Sequence, residues 1–307
     1  MVSSEQAFQR YRNEDYVSAA MEFRCNLRCQ HCMIEDAMQY LRPQSEAELR
    51  RILAHNAASR QWRGLILTGA EITLHHDLPR WAAQAREAGF SHVRIQTHGM
   101  RLAQRSYLNE LVAAGVDEFF VSVAGADAAT HDAITGVPGA FDKTLQGLMN
   151  LEEFDHVVAI TNTVVSELNF RQLPDILATL APVQRLTQVE FWCYLPMQDR
   201  DVRGLLPSHA DVLPLLRAAI LDARRLDLGV EVKHFPECLL KDIRGALRNS
   251  QPQLFIDPAF WPEFARNGFF QCIYRDRCAA TECLGLNNAY VAKFGTEAEL
   301  LAPIAKP

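Results

Sequence analysis

The chain has 307 residues, 49% of them hydrophobic, enough to bury a full core in one large domain or in one large and one small domain. Its net charge of −6, without any run of lysine or arginine, argues against a nucleic-acid partner. The polar start argues against a signal peptide, and no stretch has the length of a membrane span. We therefore expect a cytoplasmic protein without a membrane partner, whose eight cysteines are reduced and free to bind metal.

Short β-rich runs alternate with amphipathic segments through the first two thirds of the chain. The pattern predicts strands at 19–23, 64–67, 92–96, 118–123, 157–165 and 189–194, with helices at 46–58, 78–88, 105–114, 141–152 and 173–180. Repeated β–α units predict an α/β fold, in which a parallel sheet carries helices on its outside. In such folds the chemistry lies at the carboxyl ends of the strands.

The pattern changes after about residue 207. A long helix is predicted at 210–226 and a short strand at 230–233, whereas 251–268 looks irregular because prolines interrupt it. The predicted organisation is an N-terminal extension (1–17), a β/α domain (18–206), a bridging helix and strand (207–237) and a small C-terminal domain (238–307). Aromatic residues between 255 and 270 form either the core of that small domain or one wall of a substrate cleft.

Three cysteines directly after the first predicted strand carry the strongest functional signal. Cys25, Cys29 and Cys32 have the spacing C-x3-C-x2-C. Three thiolates bind a [4Fe–4S] cluster but leave one iron open to an outside ligand. The alternative is a cysteine-lined face of a helix, which is disfavoured because polar residues such as Asn26 and Arg28 stand between the cysteines.

Candidate binding residues also follow the next four predicted strands. They are Gly69, Ala70 and Glu71 after the second strand, Thr97 and His98 after the third, Ser122 after the fourth and Asn162 after the fifth. Together with the cysteine triad, this arrangement resembles the radical SAM superfamily over roughly residues 19–195. The resemblance implies a partial (β/α)6 barrel, a [4Fe–4S] cluster on the three cysteines, and S-adenosylmethionine (SAM) at the open iron.

The resemblance also implies a role for each of these residues in binding SAM. His31 takes the position of the aromatic residue before the third cysteine, which packs near the adenine. The run 69–71 corresponds to the turn that meets the methionine amino group, with alanine in place of the family's second glycine. The pair 97–98 lies near the ribose, with histidine in place of the usual asparagine. Ser122 and Asn162 take polar positions that contact SAM.

Four more cysteines follow in the C-terminal region, namely Cys238, Cys272, Cys278 and Cys283. Four thiolates complete either a closed [4Fe–4S] cluster or a structural zinc site. Their position after the β/α array resembles the auxiliary-cluster domains called SPASM and twitch, which favours iron–sulfur. The fuller form carries two auxiliary clusters and needs more cysteines than this chain has, so the shorter twitch-like form is the better match.

The remaining cysteine, Cys193, ends the sixth predicted strand. A thiol at the mouth of a barrel could return a hydrogen atom to a substrate radical, which would make Cys193 catalytic. A buried cysteine that acts as a small hydrophobic residue is the commoner case.

The resemblance implies reductive cleavage of SAM, abstraction of a substrate hydrogen and, with an auxiliary cluster as electron acceptor, net oxidation. One candidate substrate is a ribosomally made peptide, presented by a separate recognition protein because few residues precede Cys25. The alternative is dehydrogenation or epimerisation of a small molecule such as a sugar or aminoglycoside. A non-enzymatic iron–sulfur redox protein is a third hypothesis. In the enzymatic cases an external flavodoxin- or ferredoxin-like protein would supply electrons.

Overall fold

The computed structural model describes residues 13–34 and 38–305, so most of the predicted N-terminal extension lies outside the described residues. Its centre is a sheet of eight parallel strands among those residues. They are Tyr16–Glu22 (β1), Gly64–Gly69 (β2), His92–Thr97 (β3), Glu118–Ser122 (β4), Val158–Val165 (β5), Leu186–Cys193 (β6), Gly229–Lys233 (β7) and Gln253–Phe255 (β8). The spatial order β7-β6-β5-β4-β3-β2-β1-β8 confirms the predicted α/β class and adds one strand at each edge.

Most helices connect successive strands. They are Glu46–Ser59 (α1), Leu78–Glu87 (α2), Arg105–Ala113 (α3), Ala128–Thr135 (α4), Ala140–Asn150 (α5), Leu173–Leu180 (α6), His209–Arg225 (α7), Glu237–Leu240 (α8), Phe260–Ala265 (α9) and Asn288–Phe294 (α10). Helix α1 begins at a capping box, in which Ser45 and Glu48 bond each other's backbone amides, and it buries Leu49 and Ile52. No helix among the described residues combines the length and hydrophobicity needed to cross a membrane.

Side-chain alternation along the strands gives the sheet two different faces. In β3, Val93 and Ile95 are fully buried in the apolar core between sheet and helices. Arg94 and Gln96 point to the opposite face, where Arg94 pairs with Glu118 of β4 at 3.0 Å. The apolar face therefore holds the helices in place, and the polar face is left for binding and chemistry.

The sheet is curled toward its polar face. The hydroxyl of Tyr16 in β1 donates a hydrogen bond to Glu118 in β4 at 2.8 Å. These strands are three positions apart, which in a flat sheet with strands about 4.8 Å apart would separate them by about 14 Å. Side chains stand roughly perpendicular to a sheet, so these two meet because the sheet curls, as in the half-barrel of the predicted fold class.

Buried charges occupy part of the concave face. Lys233 donates to Glu231 at 3.1 Å, and both side chains are less than a tenth exposed. Burial, together with the carboxylate of Glu190, raises the pKa of Glu231 to about 7. Removing either Lys233 or Glu231 would leave the other as an unpaired buried charge, so each of these two side chains depends on the other.

Residues 247–255 cross from one edge of the sheet to the other. Leu247 forms a parallel bridge with β7, and β8 then pairs in parallel with β1. The ammonium of Lys233 holds this crossing by donating to the carbonyl oxygen of Arg248 at 2.8 Å. The irregular structure predicted for 251–268 is wrong at β8, which fits between Pro252 and Pro258, and at α9, whose first turn tolerates Pro262. The sheet also continues past the predicted boundary at 206.

Candidate active site

The three cysteines of the first loop line one cavity at the carboxyl ends of the strands. Cys25, Cys29 and Cys32 follow β1 and border a cavity of about 330 Å³. Residues from five other strands and the segments that follow them complete its walls, including Thr68, Gly69, Ala70, Gln96, Thr97, His98, Phe120, Ser122, Asn162, Val164 and Trp192. The structure thus brings all the predicted SAM-contacting residues to this cavity, except Glu71.

The backbone of the cysteine loop docks on the end of helix α4. The amides of Arg28 and Gln30 donate to the carbonyl oxygens of Thr135 and Ile134 at 2.9 and 2.8 Å. The last carbonyls of a helix have no partner within the helix, so the loop satisfies them. Gly136, with a φ of 70°, ends α4 beside Arg28. The helix end therefore fixes the path of the chain between Cys25 and Cys32.

The turn after β2 depends on one glycine. Gly69 has a φ of 144°, and a Cβ at this position would collide with the carbonyl oxygen of Glu22. The same oxygen accepts a hydrogen bond from the amide of Ala70 at 2.7 Å. Ala70 itself has no positive φ, so alanine is accommodated where the family has its second glycine.

Glu71 is fully buried and lies behind the cavity wall. Its carboxylate accepts hydrogen bonds from the backbone of Thr73 at 3.0 Å, the hydroxyl of Thr97 at 2.6 Å and the backbone of His98 at 2.8 Å. His98 Nε2 lies 3.1 Å from this carboxylate and 2.7 Å from Oδ1 of Asn26 in the cysteine loop. Burial lowers the pKa of His98, against the opposing charge of Glu71. Glu71 thus ties the ends of β2 and β3 together and connects them to the cysteine loop.

The cavity wall contains buried polar atoms without a hydrogen-bond partner among the described residues. These are Nδ1 of His31, both ring nitrogens of His131 and Oδ1 of Asn162. The His131 ring is 3.7 Å from the Asp132 carboxylate, too far for a hydrogen bond. Burial lowers the pKa of His31 to about 4 and also lowers that of His131, so both rings are neutral and offer a donor and an acceptor.

Whether SAM fits the cavity can be judged by comparing its polar groups with these unpartnered atoms. An unsatisfied buried polar group costs about 1–3 kcal/mol, which a polar ligand would recover. SAM presents hydroxyls, ring nitrogens, an amine and a carboxylate, and the three thiols at the cavity wall are the ligands a [4Fe–4S] cluster needs. The residues present therefore fit both groups.

Cys193 lies on the other face of the sheet. Strand β6 alternates, so Trp192 lines the cavity, and Cys193 packs with Phe191 against the helix-facing core. Burial raises the pKa of the Cys193 thiol to about 12. Of the two hypotheses for Cys193, the geometry therefore favours the buried cysteine over the catalytic thiol at the cavity mouth, since the last cavity-facing residue of β6 is one position earlier.

Comparison with known proteins decides the family. A family model described as the Radical SAM superfamily matches residues 23–180, just over half of the chain. The chain belongs to the radical SAM superfamily. This confirms the family and the enzyme class that the cysteine triad and the strand ends had indicated.

Curated relatives of this radical SAM protein differ in the activities their names describe. Fe-coproporphyrin III synthase of Methanosarcina barkeri is 34% identical over 156 residues, which are 51% of this chain and 38% of the relative. AdoMet-dependent heme synthase of the same organism is 34% identical over 48% of this chain and 42% of its own length. GTP 3',8-cyclase of Microcystis aeruginosa is 26% identical over 61% of this chain and 58% of its length. The chain thus covers between 38% and 58% of the length of these relatives.

Solved structures with the same fold include SuiB and anSMEcpe. SuiB of Streptococcus suis bound to S-adenosylmethionine superposes with a TM-score of 0.61 at 13% identity, over 95% of this chain and 76% of SuiB. Native anSMEcpe with bound AdoMet gives a TM-score of 0.57 at 14% identity, over 71% of this chain and 63% of that protein. At these identities the likeness establishes the fold alone.

The C-terminal region of this radical SAM protein brings its four cysteines together. Cys238, Cys272, Cys278 and Cys283 all line one small cavity of about 20 Å³. Backbone amides donate to the sulfurs, from Tyr274 to Cys272 at 3.4 Å, from Gly285 to Cys283 at 3.3 Å and from Ile304 to Cys278 at 3.2 Å. Burial raises the pKa of Cys238, and the other three sulfurs add to the effect. Bonds from amides favour thiolates, so the donor set fits a thiolate-bound metal centre.

The distances between these sulfurs bear on the choice between a zinc site and an iron–sulfur cluster. Among the described residues, the groups of metal-ligand side chains whose ligand atoms lie within 4.8 Å of one another contain no cysteine. A tetrahedral zinc site with Zn–S bonds of about 2.3 Å would hold its sulfurs only about 3.8 Å apart. A cubane cluster takes each thiolate on a different iron, so its ligands stand farther apart. The four sulfurs therefore do not form the close group of a tetrahedral zinc site among the described residues.

Two further residues at the first cysteine loop were not identified from the sequence. His131 belongs to helix α4. Asp127 and Gly136 are residue types that favour the two ends of this helix, but the sequence does not indicate the direction in which the His131 ring points. Arg203 contacts the loop from 173 residues away along the chain, so no local pattern indicates it.

Proposed function

We propose that this chain cleaves SAM at a [4Fe–4S] cluster bound by Cys25, Cys29 and Cys32, and that it oxidises a substrate by two electrons. The observation that carries the proposal is the single cavity bounded by three thiols, by the strand ends and by buried polar atoms that lack partners. When bound and reduced, the cluster supplies one electron that splits SAM into methionine and a 5′-deoxyadenosyl radical, which removes a hydrogen atom from the substrate.

The chain's own residues bind, orient and shield the reactants. His31, His131 and Asn162 offer the unused donors and acceptors that SAM requires. Phe120 and Trp192 provide apolar wall on the concave side, which keeps water from a reactive radical. Glu71, although outside the cavity, holds the strand ends from which these contacts are made.

Net oxidation follows from the second cysteine group. After hydrogen abstraction the substrate still has to lose one electron and one proton to give a product two hydrogens lighter. We propose a closed [4Fe–4S] cluster on Cys238, Cys272, Cys278 and Cys283 as the acceptor of that electron, in a twitch-like domain. The convergence of four thiols and the position of Cys193 outside the cavity support oxidation over hydrogen return.

The substrate we propose is a ribosomally made peptide, delivered by a separate recognition protein, with a flavodoxin- or ferredoxin-like electron donor. Support comes from neighbours of the same fold, since SuiB has been solved with precursor peptide SuiA and anSMEcpe with a Kp18Cys peptide. A small-molecule substrate is the second candidate, because the names of the matched sequence relatives specify a porphyrin, heme or GTP product or substrate.

The test is anaerobic reaction of the reconstituted, dithionite-reduced protein with SAM, followed by chromatography for 5′-deoxyadenosine and methionine. We expect both products in equal amounts, and we expect Cys193→Ala to form them at the wild-type rate. Absence of both products from a protein that holds iron–sulfur clusters would overturn the proposal. With substrate in deuterium oxide, a product two mass units lighter supports oxidation, and a gain of one deuterium supports epimerisation instead.

A further inference from the structure

The segment that follows β6 reaches back to the first cysteine loop. Arg203 Nη1 donates hydrogen bonds to the backbone carbonyl oxygens of Gln30 at 3.0 Å and Cys32 at 3.2 Å. These two carbonyls flank His31, so the guanidinium spans the part of the loop that carries the third thiol. A side chain that bonds the backbone on both sides of a residue restricts where that part of the loop can lie.

The turn that carries Arg203 is held by a buried carboxylate. Asp201 is 2% exposed in its side chain and accepts hydrogen bonds from the amides of Leu205 at 3.0 Å and Leu206 at 2.9 Å. The ammonium of Lys293, in helix α10, pairs with Asp201 at 2.8 Å and donates to the carbonyl oxygen of Leu206 at 2.7 Å. The turn that carries Arg203 is therefore fixed by a charge from the C-terminal region.

Arg203 affects the cysteine loop through its charge as well as through its hydrogen bonds. A guanidinium stays protonated at any working pH. A cluster held by thiolates gains negative charge when it is reduced, and charge and hydrogen bonding around such clusters set their potentials. A fixed cation beside the loop therefore favours the reduced form.

We propose that Arg203 is a positioning residue that holds the loop of Cys25, Cys29 and Cys32 and raises the reduction potential of the cluster bound there. Asp201 and Lys293 fix Arg203 in this position, so the C-terminal helix contributes to the ease of reduction at the first site. This inference rests on the function proposed above for the same cysteines.

The test is a redox titration of the fully reconstituted protein, followed by electron paramagnetic resonance at the signal that changes when SAM is added. Arg203→Gln should give a midpoint potential more negative than that of the wild type. Arg203→Lys keeps the charge on a shorter side chain that reaches the two carbonyls less well, so its midpoint should lie between the two. Arg200→Gln is the matched control, because it removes the same charge from an exposed position in the neighbouring segment and should leave the midpoint unchanged.

A midpoint in Arg203→Gln equal to the wild type, with the cluster assembled, would overturn the inference. Should that variant not retain the cluster, Arg203→Lys carries the measurement, since it keeps the positive charge and should still shift the midpoint negative. An unchanged midpoint there counts against the proposal equally. A wild-type protein without any SAM-responsive signal would instead refute the proposed function, so the two failures are distinguishable.

Discussion

The two cysteine groups of this chain differ in how they are enclosed. Cys25, Cys29 and Cys32 lie on one loop and border a cavity of about 330 Å³, with unpartnered polar atoms on the facing wall. The C-terminal four cysteines surround a space of about 20 Å³, and backbone amides donate to their sulfurs. A site with one ligand too few and an adjoining cavity suits a reactant, whereas a site with four ligands and no room suits an electron relay.

The difference arises from where the chain places each group. The triad lies at the carboxyl ends of parallel strands, where the diverging loops leave a cleft. The quartet lies where the chain has little regular structure, and metal ligation would there substitute for a larger apolar core. Two groups of the same residue type thus have different surroundings, from which we infer different chemistry. Each prediction below changes one group or one support of it.

The largest effect is expected from breaking the triad. Cys29→Ala should abolish 5′-deoxyadenosine formation, because a three-thiolate cluster cannot lose a ligand. Cys278→Ala should still form 5′-deoxyadenosine but give no oxidised product, since only the acceptor is damaged. Chromatography of the reduced reaction mixture measures both. Equal production by wild type and Cys29→Ala would mean that the cluster is bound elsewhere.

The metal content of the protein provides a second test of the difference between the two cysteine groups. Anaerobic reconstitution should give about eight irons per chain, and replacing all three triad cysteines by alanine should leave about four. Elemental analysis by plasma mass spectrometry provides the count. Zinc at the quartet, with iron stopping near four in the intact protein, would refute the auxiliary cluster and leave the triad unaffected.

A smaller effect is expected from Glu71, which supports the cavity from behind. Glu71→Gln removes a buried charge that accepts bonds from Thr73, Thr97 and His98, so the metal-free chain should lose about 2 kcal/mol of unfolding free energy. Urea denaturation measures the loss. The control Glu87→Gln, on the exposed face of α2, should change stability by less than about 0.5 kcal/mol. Equal effects of the two changes would show that the buried network contributes nothing.

The smallest effect concerns pH. Burial lowers the pKa of His131, so the folded chain binds fewer protons than the unfolded chain, and stability should fall as pH drops below the unfolded value of about 6.5. One such group contributes at most about 1.4 kcal/mol per pH unit. His131→Phe, which can pack beside Phe141, should flatten this slope between pH 7.5 and 6. An unchanged slope would show that the His131 ring takes up its proton at the same pH in the folded and the unfolded chain.

The regular part of the fold was predictable because its signals are local. Each strand from β1 to β7 has a predicted counterpart whose ends lie within a few residues of it. The β-rich runs that mark these strands can be recognised without knowing the tertiary structure. Strand β8 was missed because its three residues owe their form to pairing with β1. Helix α9 was missed because Pro262 lies inside it, although its first turn tolerates the ring.

The candidate site was predictable to the extent that it lies at strand ends. Cysteine spacing and the residues after β2 to β5 indicated the cavity, since parallel strands place their ends together. The direction in which a side chain points was harder to predict from the sequence. Cys193 and Trp192 are neighbours in sequence, yet strand alternation sends only Trp192 to the cavity. Arg203 and His131 act across the fold, which no local pattern records.

The central claim is that the triad holds a cluster open to SAM and the quartet holds a closed one. Electron paramagnetic resonance of the reduced protein, with and without SAM, tests it most directly in two variants that each retain one group. The account predicts that SAM alters the spectrum when only Cys25, Cys29 and Cys32 remain and leaves it unchanged when only the C-terminal four remain. A spectrum of the C-terminal group that responds to SAM, or a triad spectrum that does not, would contradict the account.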